Sequence, residues 1–193
     1  MTKHLLTSSS TVGPFFAPCL LRPDALRQVL AQPETAGEPI RIEGRVTDGD
    51  GAAVTDAMIE IWQANGAGRY NHPADQGNTP LDVSFAGFGR TGTDKYGVYW
   101  FETIKPGLVP FEGEKQQAPH INVTIFSRGL LNHLATRLYF EDEAANKADP
   151  VLQRVPTERR STLVARREIN QGKTVYRFDI VMQGEGETAF FNL

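Results

Sequence analysis

The chain has 193 residues, 40% of them hydrophobic and 22% charged, with a formal net charge of −3. That composition suits a single globular domain over 1–193 with a sizeable core, and without a basic excess it excludes binding of nucleic acid or anionic membrane by bulk charge. No apolar run reaches the length of a membrane span, the N-terminus makes a poor signal peptide, and the lone cysteine, Cys19, permits no internal disulfide, so a cytoplasmic location is expected.

An N-terminal arm covers about residues 1–38. Within it, PDALRQVLAQ (23–32) reads as a short helix, with Leu26, Val29 and Leu30 on one face and Pro23 near the first turn. IRIEGRVTD (40–48) alternates as a strand and meets the turn DGDG. DAMIEIWQA (56–64) is a second strand, with Met58, Glu60 and Trp62 on one face and Ile59, Ile61 and Gln63 on the other. NGAG (65–68) follows as a turn. A polar, glycine-rich loop runs from about 71 to 90, long enough to suggest a functional role.

DKYG (94–97) leads into the strand VYWFETI, and KPG (105–107) turns the chain again. HINVTIF (120–126) and TRLYF (136–140) are further strands. TERRSTLVARRE (157–168) reads as a helix with Thr157 as N-cap after Pro156, its arginines at 159, 160, 166 and 167 forming a solvated face with Glu158 and Glu168. TVYRFDIVMQG (174–184) is a last long strand. Six or seven strands with few helices predict a mainly β fold, a β-sandwich or barrel with short peripheral helices.

Candidate chemistry is sparse. The four histidines are His4, His72, His120 and His133, and a three-histidine metal site needs most of them to converge. No phosphate loop, dinucleotide fingerprint, paired CxxC or nucleophile elbow is present. In QQAPHINVTIFSRG (116–129), His120 and Asn122 project from one face of the strand. A histidine at 122 would complete a His-x-His ligand pair; the asparagine does not. Taken alone, His120 reads as a hydrogen-bonded structural residue.

Four blocks in order, EIWQANGAGRYNH (60–72), GFGRTGTDKYGVYWFETIKPG (87–107), APHINVTIFSRG (118–129) and TRLYFEDE (136–143), resemble the intradiol ring-cleaving dioxygenases. The likeness extends from about residue 9 to the C-terminal GEGETAFFNL. It implies a β-sandwich of mixed sheets. Iron-binding members hold non-haem Fe(III) with two tyrosines and two histidines. Carried over one at a time, the positions are Tyr70, Val109, His120 and Asn122. Valine offers no donor and asparagine is a poor substitute for imidazole, so a vestigial site with no metal and no catalytic residues on this chain is expected.

The family includes enzymes built from an iron-keeping β chain and a homologous α chain with a vestigial site, and this sequence resembles the α type. The implied partner is an iron-binding β subunit in a higher hetero-oligomer, with no nucleic acid or membrane involved. The implied reaction is opening of 3,4-dihydroxybenzoate by O₂ to 3-carboxy-cis,cis-muconate, on the β-ketoadipate route. Gly13 and Pro14 in TVGPFF and Arg128 in FSRG match segments that line the substrate cavity at the subunit contact. A guanidinium there would attract and orient a carboxylate. Arg90 and Arg137 also fall in matching blocks and read as structural ion-pairing residues; Trp62 reads as core. A self-sufficient dioxygenase with an altered metal shell, and a non-enzymatic β-sandwich binding module, stand as alternatives.

Overall fold

The computed structural model describes residues 9–192. In chain order the strands are β1 (Pro39–Thr47), β2 (Met58–Gln63), β3 (Phe88–Gly92), β4 (Val98–Ile104), β5 (Val109–Pro110), β6 (Gln116–Gln117), β7 (His120–Phe126), β8 (Leu134–Phe140), β9 (Val164–Asn170), β10 (Lys173–Arg177) and β11 (Ile180–Val181). All but β5 and β6 join one mixed sheet in the order β3-β2-β7-β8-β9-β10-β1-β4, with β11 continuing the β10 side of β1. β1 runs parallel to β10 and β11, and β8 runs parallel to β9. Residues from both halves of this order share one buried cluster, as the expected sandwich requires.

Strict alternation builds the core. Ile40, Ile42 and Val46 of β1 face Ile121, Val123 and Ile125 of β7, with Ile59, Ile61, Phe101, Leu138 and Phe140 completing one buried cluster. Each such side chain contributes about 1.5–3 kcal/mol on burial. Tyr139, Leu152, Val155 and Leu163 form a second cluster under the 3₁₀ segments that precede β9.

Residues 23–32 are not the helix that their periodicity suggests. Residues 23–25 form a turn, with Ala25 N–H bonding Arg22 O at 2.9 Å, and the chain from Arg27 to Leu30 spans the gap between the two edge strands. Arg27 and Arg90 exchange N–H···O bonds of 2.9 and 3.0 Å, while Leu30 N–H reaches Glu102 O and Glu102 N–H reaches Gln28 O, both at 2.8 Å. Edge strands offer unpaired backbone groups, and a ten-residue helix is marginal in water, so the sheet edges outcompete the helix. The one short α-helix of the described residues instead covers Phe16–Leu20, with Phe16 buried.

The expected helix at 157–168 divides as well. Thr157–Leu163 is 3₁₀ and β9 follows, pairing Val164 with Tyr139 and Ala165 with Phe140. Pro156, not Thr157, holds the cap position, and no side chain caps it. The arginines therefore share no helix face. Arg159 bonds Glu187 Oε1 at 3.0 Å, Arg160 donates to Val155 O and Gln153 O, and Arg166 and Arg167 lie on exposed β9.

The long strand expected at 174–184 is interrupted at Phe178 and Asp179, where an Asp179 carboxylate oxygen accepts the Arg45 N–H at 2.9 Å. β3 begins within the last residues of the segment read as loop and continues beyond it. Among the described residues, no helix is long and apolar enough to cross a membrane.

Candidate relict metal centre

β7 carries the centre of interest. Its register sets His120 opposite Tyr139 and Asn122 opposite both Arg137 on β8 and Trp62 on β2. Ile121, Val123 and Ile125 turn into the core, so the 120, 122 and 124 side chains share the outer face.

Tyr70 reaches that face from the turn after β2. Asn65 Oδ1 accepts the N–H groups of Ala67 and Arg69, both at 3.0 Å, and the Tyr70 N–H bonds Asp75 Oδ2 at 2.8 Å. Gly68 takes φ +79°, and a Cβ there would lie 1.8 Å from Leu108 O, so only glycine fits this turn. The Tyr70 ring stacks on Trp62, with centroids 5.6 Å apart and planes at 23°. Trp62 is thus half-buried on the outer face and supports Tyr70; it is not a core residue.

A directed hydrogen-bond chain joins these groups. His120 Nδ1 lies 2.7 Å from Ala118 O, so it carries the proton and Nε2 is the acceptor. The Tyr70 hydroxyl donates to His120 Nε2 at 3.3 Å and accepts from Asn122 Nδ2 at 3.2 Å. Asn122 Nδ2 also donates to Trp62 O at 3.3 Å. Burial, assisted by the nearby Arg137 charge, pushes the His120 imidazole down to about 4. Burial raises the Tyr70 phenol. Both side chains are therefore neutral near pH 7.

Val109 is buried in β5, paired with Gln117 on β6. Gln117 ties that ladder to β8 by accepting Arg137 Nη1 at 2.7 Å. The set does not fit non-haem iron. Val109 has no donor atom, Asn122 presents its amide nitrogen to Tyr70, and the Tyr70 proton occupies the His120 lone pair. His72 is exposed and accepts the Ala74 N–H, while His133 is exposed beside the Phe126 ring. His4 lies outside the described residues. Among the described residues, no group of three His, Cys, Asp or Glu is placed to hold a metal ion.

Arg128 lies beyond the opposite end of β7. His120 and Phe126 alone are about 20 Å apart along the strand. The Arg128 side chain is 72% exposed, and its Nε donates to Asp56 Oδ2. Ser127 Oγ holds the other Asp56 oxygen at 3.2 Å. Gly129 N–H bonds Thr11 Oγ1 at 2.7 Å, which ties the N-terminal segment carrying exposed Gly13 and Pro14 to the same turn.

Asp56 and Thr11 have no signal in the sequence as isolated residues. The β2–β7 register, Met58 against Phe126, carries Asp56 to a position opposite Arg128 once the pairing is known. Of the other arginines, Arg90 forms the expected ion pair, with Glu60 at 2.5 Å. Arg137 does not: no carboxylate among the described residues lies within 4 Å of it.

The family described as Dioxygenase matches residues 12–184. The chain is 46% identical, over all of both sequences, to the protocatechuate 3,4-dioxygenase alpha chain of Burkholderia cepacia. It is 37% identical to the protocatechuate 3,4-dioxygenase beta chain of the same organism, covering 86% of this chain and 73% of that one. Among solved structures, the dioxygenase domain of a dioxygenase–carbohydrate-binding fusion from Streptomyces sp. SirexAA-E superposes with a TM-score of 0.64 at 26% identity, covering 94% of this chain and 97% of that one.

Proposed function

Because the chain belongs to the intradiol ring-cleavage dioxygenase family, we propose that it serves as the alpha subunit of a protocatechuate 3,4-dioxygenase. In this reading a homologous beta subunit holds the non-haem Fe(III). The assembled enzyme opens 3,4-dihydroxybenzoate with O₂ between its hydroxylated carbons and yields 3-carboxy-cis,cis-muconate.

The observation that carries the reading is the division of β7. Near one end, the positions where iron-binding relatives keep ligands are Tyr70, Val109, His120 and Asn122; valine brings no polar atom, and the other three bond one another and nearby backbone carbonyls. At the other end, Arg128, Gly13 and Pro14 are exposed and tied to one turn. These three residues supply a wall of the partner's substrate pocket. Asp56 engages only Nε of Arg128, which leaves the terminal nitrogens to meet a substrate carboxylate. Gly13 and Pro14 offer a small, stiff surface for a planar ring.

The test is co-expression with an iron-bearing homologue, followed by iron and O₂-uptake assays on this chain and on the complex. Iron and protocatechuate-dependent uptake in the complex, with neither in this chain alone, is the expected result. Iron and turnover in the chain alone would sink the proposal.

A further inference from the structure

A cleft of about 410 Å³ opens beside the relict centre, on the outer face of β7 and β8. Asn122, Ala135, Arg137, Val151, Arg154 and Phe191 are among the residues that line it. The cleft has two guanidinium groups and no acidic lining residue. Arg137 spends Nη1 on the neutral Gln117 amide. Arg154 lies with its guanidinium 6.0 Å from the Phe111 ring centroid. Neither arginine has a carboxylate within 4 Å among the described residues.

The buried acid of this region, Asp149, is already saturated. It accepts Ala118 N–H at 2.7 Å, Tyr139 O–H at 3.0 Å, Val151 N–H at 2.9 Å and Leu152 N–H at 2.6 Å. Burial lowers the His120 pKa, and the charge of nearby Arg137 adds to that shift. A half-buried cation without a counter-ion is costly, and a bound anion relieves that cost.

We infer that this cleft binds a small planar carboxylate, with the carboxylate between Arg137 and Arg154 and the hydrocarbon body against Val151, Ala135 and Phe191. The guanidinium fork suits a carboxylate better than a spherical anion, and the apolar walls favour an aromatic acid over acetate. The inference rests on the cleft itself and stands whether or not the alpha-subunit reading holds.

Titration calorimetry of the full chain, with its partner present where one co-purifies, tests it with benzoate, acetate and benzamide. Benzoate binding at least about tenfold tighter than either of the others is expected, since each lacks the body or the charge. Arg137→Gln and the exposed Arg154→Gln should each weaken benzoate about tenfold. Benzamide binding as well as benzoate, no benzoate binding, or binding that both variants leave unchanged overturns the inference. Benzoate held anywhere other than between these two arginines falls in the last class, since neither substitution would then change its affinity.

Discussion

The Tyr70 hydroxyl works in both directions, accepting from Asn122 and donating to His120. That polarity depends on a neutral imidazole, and burial holds His120 at about 4. An unfolded histidine titrates near 6.5. Between these values the unfolded chain binds a proton that the folded chain refuses. Stability from this residue is therefore complete above about pH 6.5 and declines as pH falls toward 4, by roughly 3 kcal/mol in all. Urea unfolding across that window should follow this slope in the wild type and lose one proton's worth of it in His120→Gln. A slope unchanged by the substitution would contradict the burial argument. The family resemblance singled out Tyr70, Val109, His120 and Asn122 as a set. It did not show that three of them hydrogen-bond together, because Tyr70 and His120 are brought into contact only by the Asn65 turn and the Trp62 stack.

At the scale of elements, legibility followed the source of the hydrogen bonds. β7 begins and ends where its alternation predicts, since one face is apolar throughout and its neighbours pair antiparallel. Residues 23–32 and 157–168 misled for a common reason. Both carry apolar residues at helical spacing, yet both sit against strands whose backbone groups need partners. The β1 ladder provides a sharp test. A Cβ on Gly44 would lie 1.8 Å from the Phe178 carbonyl oxygen, at the point where β10 gives way to β11. Gly44→Ala should cost roughly 3 kcal/mol or more, at the top of the overpacking range. Gly13→Ala, with nothing within 4 Å, should leave the unfolding midpoint in place. Equal midpoints for Gly44→Ala and wild type would show that β1 does not need that close approach.

For the whole molecule, the consequence of interest is a surface. Arg128 and the 11–14 segment face outward, so their effect is expected only in an assembly. In the complex, Arg128→Ala should raise KM for 3,4-dihydroxybenzoate about tenfold, the worth of one charge-assisted contact. Asp56→Asn should raise KM by less while sparing kcat, because it loosens the guanidinium without removing it. Steady-state O₂ uptake measures both. If Arg128→Ala changes nothing in an intact complex, the pocket-wall role is lost. If only Asp56→Asn is silent, Arg128 is held by other contacts.

Composition and alternation by themselves determined a mainly β protein and the placement of its central strands. Those properties are local: they depend on side-chain type and on a period of two. Only the tertiary structure decided that the N-terminal segment bridges the sheet edges, that Asp56 meets Arg128, and that Arg137 faces a cleft without an acid. Each of these joins residues well separated along the chain, and such distances are crossed by strand register and backbone pairing, which no short window of sequence contains.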